Sequence, residues 1–263
     1  MTARRTRPEL EMSRRVASLF LIGVLLVPPP AAAWPPDTGR VLRYVSSRSG
    51  SVSFMVIGPG GRRFAHRRFR EVPAASVIKV MFMVAYLRQG SVRDRKLRET
   101  DTDLLAPMIR RSDNDAATRI ADMLGARPIN RLARRADMKH FRYTRPWGLS
   151  IVTAAEQARF MYRLESYIPD RHEAYARYLL SHIVRRQRWG IGELKHPNWR
   201  FFFKGGWGSG TGAVCHQVAF LEREGMRIAV AVMVTDSPSH EYAKETLRGV
   251  FARLLSELPK PAD

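Results

Sequence analysis

A single cysteine, Cys215, occurs in 263 residues. That excludes a disulfide framework and any array of Cys/His zinc fingers. No apolar stretch reaches the about 20 residues of a membrane-crossing helix. Acidic residues are scarce beside basic ones: 24 Asp and Glu face 45 Lys and Arg, for a formal net charge of +21. Lysine is itself rare, with seven positions against 38 arginines, a ratio that reads as coding bias. The seven histidines show no His-Glu-x-x-His or similar spacing, so no metal and no other cofactor is expected.

What is present is ordinary for a globular chain. Hydrophobic residues make up 45% and charged residues 26%, which argues against disorder despite the charge. The length suits one domain or two closely packed lobes, with a core that needs no staples. A basic chain invites a nucleic-acid reading. However, the arginines are scattered in ones and twos, and the tightest cluster (Arg62, Arg63, Arg67, Arg68, Arg70) lies on an alternating segment rather than a basic helix. No heptad-bearing basic region and no RNP-like aromatic motif occurs. A solvated arginine-rich surface explains the charge, and no nucleic-acid partner is expected.

The N-terminus reads as an export signal. Met12-Ser13-Arg14-Arg15 precedes an almost wholly apolar run, Val16 to Val27, and then Pro28-Pro29-Pro30-Ala31-Ala32-Ala33-Trp34. A basic start, a short apolar core and an Ala-x-Ala site are the layout of a secretory signal, here cut after Ala33. The competing reading is a membrane anchor, for which the run is too short. Ser13-Arg14-Arg15 also hints at twin-arginine export. The expected location is therefore extracytoplasmic, cell wall or periplasm, where anionic wall polymers can attract the charge weakly.

The remainder, residues 34–263, is expected to form one domain. Residues 34–50 read as an irregular lead-in. Val52 to Ile57, the turn Gly58-Pro59-Gly60-Gly61 and Arg62 to Phe69 form a hairpin signal. Val77 to Leu87 is apolar on nearly every side, the pattern of a central buried helix. Short helices are expected around 103–111, 114–125, 128–137, 153–167 and 171–186, punctuated by Pro107, Pro128 and Pro146. Trp199 to Phe203, Ala213 to Glu222 and Met226 to Val234 read as strands, and Glu241 to Leu258 as a closing amphipathic helix. The expected class is α/β (α+β): an antiparallel sheet flanked by N- and C-terminal helices, from residues 34–75 and 195–263, with an inserted, mostly helical lobe over 76–194.

Three short stretches carry chemistry-bearing side chains. In Ser76-Val77-Ile78-Lys79, Ser-x-x-Lys alone is common by chance, an N-cap serine and a solvated lysine. Lys79, however, is the one charge in an otherwise apolar helix, and a buried ammonium needs partners. One helical turn separates it from Ser76. A hydroxyl needs an adjacent base to become a nucleophile, and burial lowers a lysine pKa toward that task. Ser112-Asp113-Asn114 is either a helix cap or a second hydroxyl with a substrate-binding amide two residues on. Phe201-Phe202-Phe203-Lys204-Gly205-Gly206-Trp207-Gly208 runs a strand into a lysine and glycines. It is either a glycine-rich turn or an anion-holding strand edge. It is no P-loop, because its lysine precedes the glycines.

Taken together and in this order, Ser-x-x-Lys, Ser-Asp-Asn and Lys-x-Gly resemble the class A β-lactamases and penicillin-binding proteins. The order of elements agrees over nearly the whole length after the signal. Phe141-Arg142-Tyr143-Thr144-Arg145 and Thr153-Ala154-Ala155 are similar to the segments around that family's omega loop. The resemblance implies the following roles. Ser76 is the acylated nucleophile, Lys79 its proton acceptor, and Ser112 the shuttle to the leaving nitrogen. Asn114 binds the substrate's acylamide and Lys204 its carboxylate. Gly205 and Gly206 line the strand, and the backbone N–H groups of Ser76 and Trp207 form the oxyanion hole.

Two departures qualify these roles. Gly205 stands where the family carries a hydroxyl, which weakens carboxylate binding unless Ser209 or Thr211 substitutes. After Arg145 the chain reads Pro146-Trp147-Gly148-Leu149-Ser150 and enters Thr153, so the omega loop is truncated and its deacylating glutamate is missing. Glu156, the next acid, falls inside a predicted helix. The stretch between Ser76 and Ser112 is also short. The resemblance thus implies a monomeric, secreted serine hydrolase that is acylated by β-lactams and releases them slowly. Two alternatives remain open: a D-alanyl-D-alanine carboxypeptidase acting on peptidoglycan stem peptides, and a catalytically idle relative that binds the cell wall. Cys215 is expected to be a packed small residue in a strand.

Overall fold

The computed structural model describes residues 37–208 and 213–258. The expected export signal over 1–33 and the expected cut after Ala33 lie outside the described residues, as do Ser209 and Thr211.

The first element corrects the expected lead-in. Residues Thr38–Ser46 form helix α1. Asp37 caps it, its carboxylate accepting from Arg40 N at 3.0 Å, and Val41 and Val45, one turn apart, bury its inner face. Proline, serine and glycine on either side mask a helix this short. Strand β1 (Ser51–Ile57), a turn and strand β2 (Arg63–His66) give the expected hairpin, with Phe54 opposite His66. After the short strand β3 (Val72–Pro73), a 3-10 turn over Ala75–Ile78 runs into helix α2 (Lys79–Leu87). Every residue of α2 is buried, as an apolar pattern without a polar face requires.

The helical block follows: α3 (Gly90–Arg93), α4 (Glu99–Ala106), α5 (Asn114–Leu124) and α6 (Ala126–Arg135). Pro107 does not interrupt the chain here. It opens a π turn, Pro107–Arg111, that continues directly from α4. Strand β4 (Ile151–Val152) pairs with β3. Helices α7 (Ala154–Tyr162) and α8 (Asp170–Ser181) complete the block.

The last third supplies β5 (Arg200–Gly208), β6 (Val214–Arg223), β7 (Met226–Thr235) and α9 (His240–Leu254). The main sheet is fully antiparallel in the order β2-β1-β7-β6-β5, which leaves β5 at an edge. Helix α9 packs on β6 and β7 with α1 against it, while α7 packs on β1, β6 and β7. Both faces of β7 are therefore covered, and every residue from Ile228 to Thr235 is buried. Of the two readings of the glycines, turn or strand edge, the structure has strand: β5 continues through Gly205, Gly206 and Trp207, each paired across the ladder with β6. Among the described residues no helix is long and apolar enough to cross a membrane.

Candidate functional site

Ser76 lies in the 3-10 turn before α2, and only 8% of its surface is exposed. The residue before it, Ala75, holds φ at 44°, a left-handed backbone that L-residues rarely adopt. Such strain persists where surrounding structure enforces it, commonly at functional sites. Edge strand β5 runs directly alongside. A Cβ placed on Gly206 would stand 2.7 Å from Ser76 N and 2.8 Å from Val77 N. Only glycine permits this approach of two backbones.

The same strand delivers Lys204. Its Nζ donates to Ser112 Oγ at 2.9 Å and to Gly205 O at 2.6 Å, and the side chain is 1% exposed. Ser112 closes the π turn with φ 58° and ψ 34°, a second left-handed non-glycine residue. The helix cap predicted for this stretch is Asp113 alone, whose carboxylate accepts from Ala116 N at 2.9 Å. Ser112 is thereby free to turn toward α2, where Lys79 meets it. Lys79 Nζ donates to Ser112 O at 2.7 Å, to Asn114 Oδ1 at 2.7 Å and, at 3.4 Å, to Ser112 Oγ.

Ser112 Oγ thus sits between two lysines. Burial lowers Lys79 to a pKa of about 7, opposed by the charge of Asp113. Burial pushes Lys204 well below its ordinary value, and the charge of Lys79 pushes it the same way. Two buried ammonium groups this close disfavour holding both protons. Among the described residues no carboxylate hydrogen-bonds to Ser76, Lys79, Ser112, Asn114 or Lys204. A neutral lysine beside a hydroxyl can accept and pass on a proton.

The structure brings Ser76, Lys79, Ser112, Asn114, Lys204, Gly205 and Gly206 to one place from three stretches of sequence. Trp207 stands at the rim, 51% exposed. One expected contact differs. Among the described residues no hydrogen bond joins Ser76 to Lys79, which reaches across to Ser112 and Asn114 instead. Glu156 lies in α7, and its Oε1 accepts from His140 N at 2.8 Å and faces His140 Nδ1 at 3.0 Å.

Three further residues shape the site from outside the three motifs. The indole of Trp147 lies over Lys79 Nζ at 5.0 Å, a cation–π contact when the amine is charged. Trp189 packs against Gly205, where a Cβ would stand 2.6 Å from its ring. His216, opposite Gly206 on β6, is wholly buried. Its Nδ1 accepts from Val234 N at 3.1 Å, so Nε2 carries the hydrogen and donates to Pro73 O at 3.0 Å. Burial lowers its pKa to about 4, keeping it neutral. It fastens the segment before Ser76 to the sheet. Only Trp147 was findable from sequence, as the large side chain in the truncated loop. Among the described residues no group of three or more His, Cys, Asp or Glu could hold a metal ion.

Residues 97–258 match the family described as the beta-lactamase enzyme family. No curated protein matches the chain. Solved structures share its fold. The beta-lactamase from Sphaerobacter thermophilus superposes with a TM-score of 0.74 at 20% identity, over 86% of this chain and 100% of that one. A beta lactamase from Xanthomonas campestris gives 0.72 at 16%, over 84% and 96%. PBP-A gives 0.66 at 16%, over 83% and 98%. At these identities the likeness is one of fold.

Proposed function

The chain belongs to the beta-lactamase enzyme family, and on that footing we propose that it acts by serine acyl transfer, with β-lactams opening on Ser76 to leave an acyl-enzyme. Ser76 Oγ attacks the lactam carbonyl and its proton passes to neutral Lys79. Ser112 delivers a proton to the lactam nitrogen as the C–N bond breaks, and Lys204 holds Ser112 in place. The backbone N–H groups of Ser76 and Trp207 face the developing oxyanion. Asn114 orients Lys79 and binds the acylamide. The observation that carries this reading is the convergence of Lys79 and Lys204 on Ser112 Oγ, with Gly206 pressed against Ser76 N.

Release of the acyl group is the slow step on this reading. Its support is the wall of the site beside Lys79, where Trp147 presents an indole, and the next acid after the loop, Glu156 of α7, is engaged by His140. An indole offers water no base. Incubation with benzylpenicillin is expected to leave a stable adduct on Ser76 that Ser76→Ala abolishes, read by mass spectrometry of the intact protein. An unmodified Ser76 refutes acyl transfer, whereas rapid multiple turnover refutes slow release. D-Alanine liberated from a stem peptide, with no penicillin turnover, is the outcome that favours the carboxypeptidase reading. The N-terminal segment is proposed to export the chain, and a secreted protein that starts elsewhere than Trp34 speaks against cleavage after Ala33.

A further inference from the structure

Among the described residues of β5, none presents a side-chain hydroxyl to an anion at its substrate end. Gly205 carries no hydroxyl, and Trp189 occupies the space where one would project: a Cβ there meets its ring at 2.6 and 2.7 Å. Trp189 cannot easily withdraw, because it is 5% exposed and its carbonyl accepts from Gln217 Nε2 at 2.7 Å. Lys204, the cation that would face a carboxylate, is fully enclosed and donates inward to Gly205 O and Ser112 Oγ.

What β5 does present is aromatic. Trp207 follows Gly206 and is half exposed. Its ring stacks on His240 with centroids 4.5 Å apart, tilted by 30°, and His240 meets Trp189 edge-on at 6.0 Å. Beside the stack lies a cavity of about 230 Å³ whose lining includes Trp207, Val214, Cys215, His240 and Ala243 and, among the described residues, no charged one. Burial raises the Cys215 thiol to about 12, so the floor stays neutral. Burial and the nearby Lys244 lower His240, against a smaller opposing effect of Glu241.

We propose that the site takes an uncharged acyl donor whose leaving group carries a flat apolar ring, seated on Trp207 and in the adjoining cavity, where a carboxylate would otherwise bind. This deepens the acyl-transfer reading and rests on it. The ring belongs to the leaving group because Ser112, the proton donor to that group, is held by Lys204 of the same strand. With a thioester, Ser76 Oγ bonds to the carbonyl carbon, the C–S bond breaks, and the thiol departs with the proton relayed through Lys79 and Ser112. A flat ring on an exposed indole gains on the order of tenfold in binding.

The test compares Ser76 acylation by donors that differ in one feature. Benzylpenicillin and its methyl ester differ in the carboxylate, and the ester is expected to acylate at least as fast. A free acid faster by tenfold or more overturns the proposal while leaving acyl transfer intact, and the absence of an adduct from every donor used overturns both. Benzyl and isobutyl thioesters of N-acetylglycine differ in the ring. The benzyl donor is expected to react about tenfold faster. That preference is expected to vanish in Trp207→Ala and to survive in Trp207→Phe. Val214→Phe, which fills the cavity, gives an independent reading and is expected to abolish it. A preference unchanged in Trp207→Ala or in Val214→Phe overturns the proposal.

Discussion

On the proposed acyl-transfer reading, Lys79 sets the pH range of the site. It is a base only when neutral, and its pKa falls to about 7. Acylation of Ser76 should therefore be slow in acid, rise through about pH 7 and level off above it, as followed by adduct formation against pH. Lys79→Arg keeps the charge but cannot shed its proton, so acylation should fall by about a hundredfold or more. Gly205 tests the aromatic wall from the other side. Gly205→Thr restores the hydroxyl of related chains and drives its Cβ into the Trp189 ring. Such overpacking should cost about 1–3 kcal/mol, read from the denaturant midpoint. Trp189→Ala in the same chain should recover part of it, because contacting residues do not act additively.

At the scale of elements, the cap of α5 has two duties. Asp113 closes the helix through Ala116 N and separates Ser112 from Asn114, the two residues that hold Lys79. Asp113→Ala should cost about 1 kcal/mol of stability and slow acylation by more than that cost explains, measured on fully folded protein. The elements that were legible in the sequence have strong periodicity. The hairpin, the unbroken apolar helix α2, the helical block and the three last strands follow from the spacing of their apolar residues. Helix α1 was not legible, because Val41 and Val45 are its only buried residues and proline and serine surround it. Nor was the extension of β5 through Gly205 and Gly206. Glycine signals a turn by its own preference, and only the ladder with β6 and the contact with Ser76 hold it extended. The site residues were legible as three motifs in order. Trp189 was not, since its meeting with Gly205 comes from the fold alone.

For the whole molecule, the excess of arginine acquires some structure. Arg177 of α8 and Arg227 of β7 both engage Glu165 and Glu222, tying the helical block to the end of the sheet. Arg95 holds the buried Asp101, which also accepts from Tyr86 Oη. His216 makes global stability depend on acid. Its folded pKa of about 4 lies below the ordinary 6.5, so the unfolded chain binds its proton first. The contribution is complete above about pH 6.5 and is lost as pH falls toward 4, on the order of 3 kcal/mol in all. Denaturation at pH 4 to 7 should show this slope, and His216→Gln should flatten it relative to the parent chain.

The sheet also joins what the chain makes early to what it makes late. Residues 54–57 pair at once with 63–66, but strand 51–57 finds its second partner only at 229–235, and α1 rests on α9. No central strand of the sheet can close until β7 exists, so most stabilising contacts arrive together and near the end. Refolding should accordingly take milliseconds to seconds, as expected for a topology of distant pairings. During synthesis Phe54, Val56 and Ile57 emerge long before their cover. In that interval these apolar side chains lack the strand and helices that bury them in the folded protein.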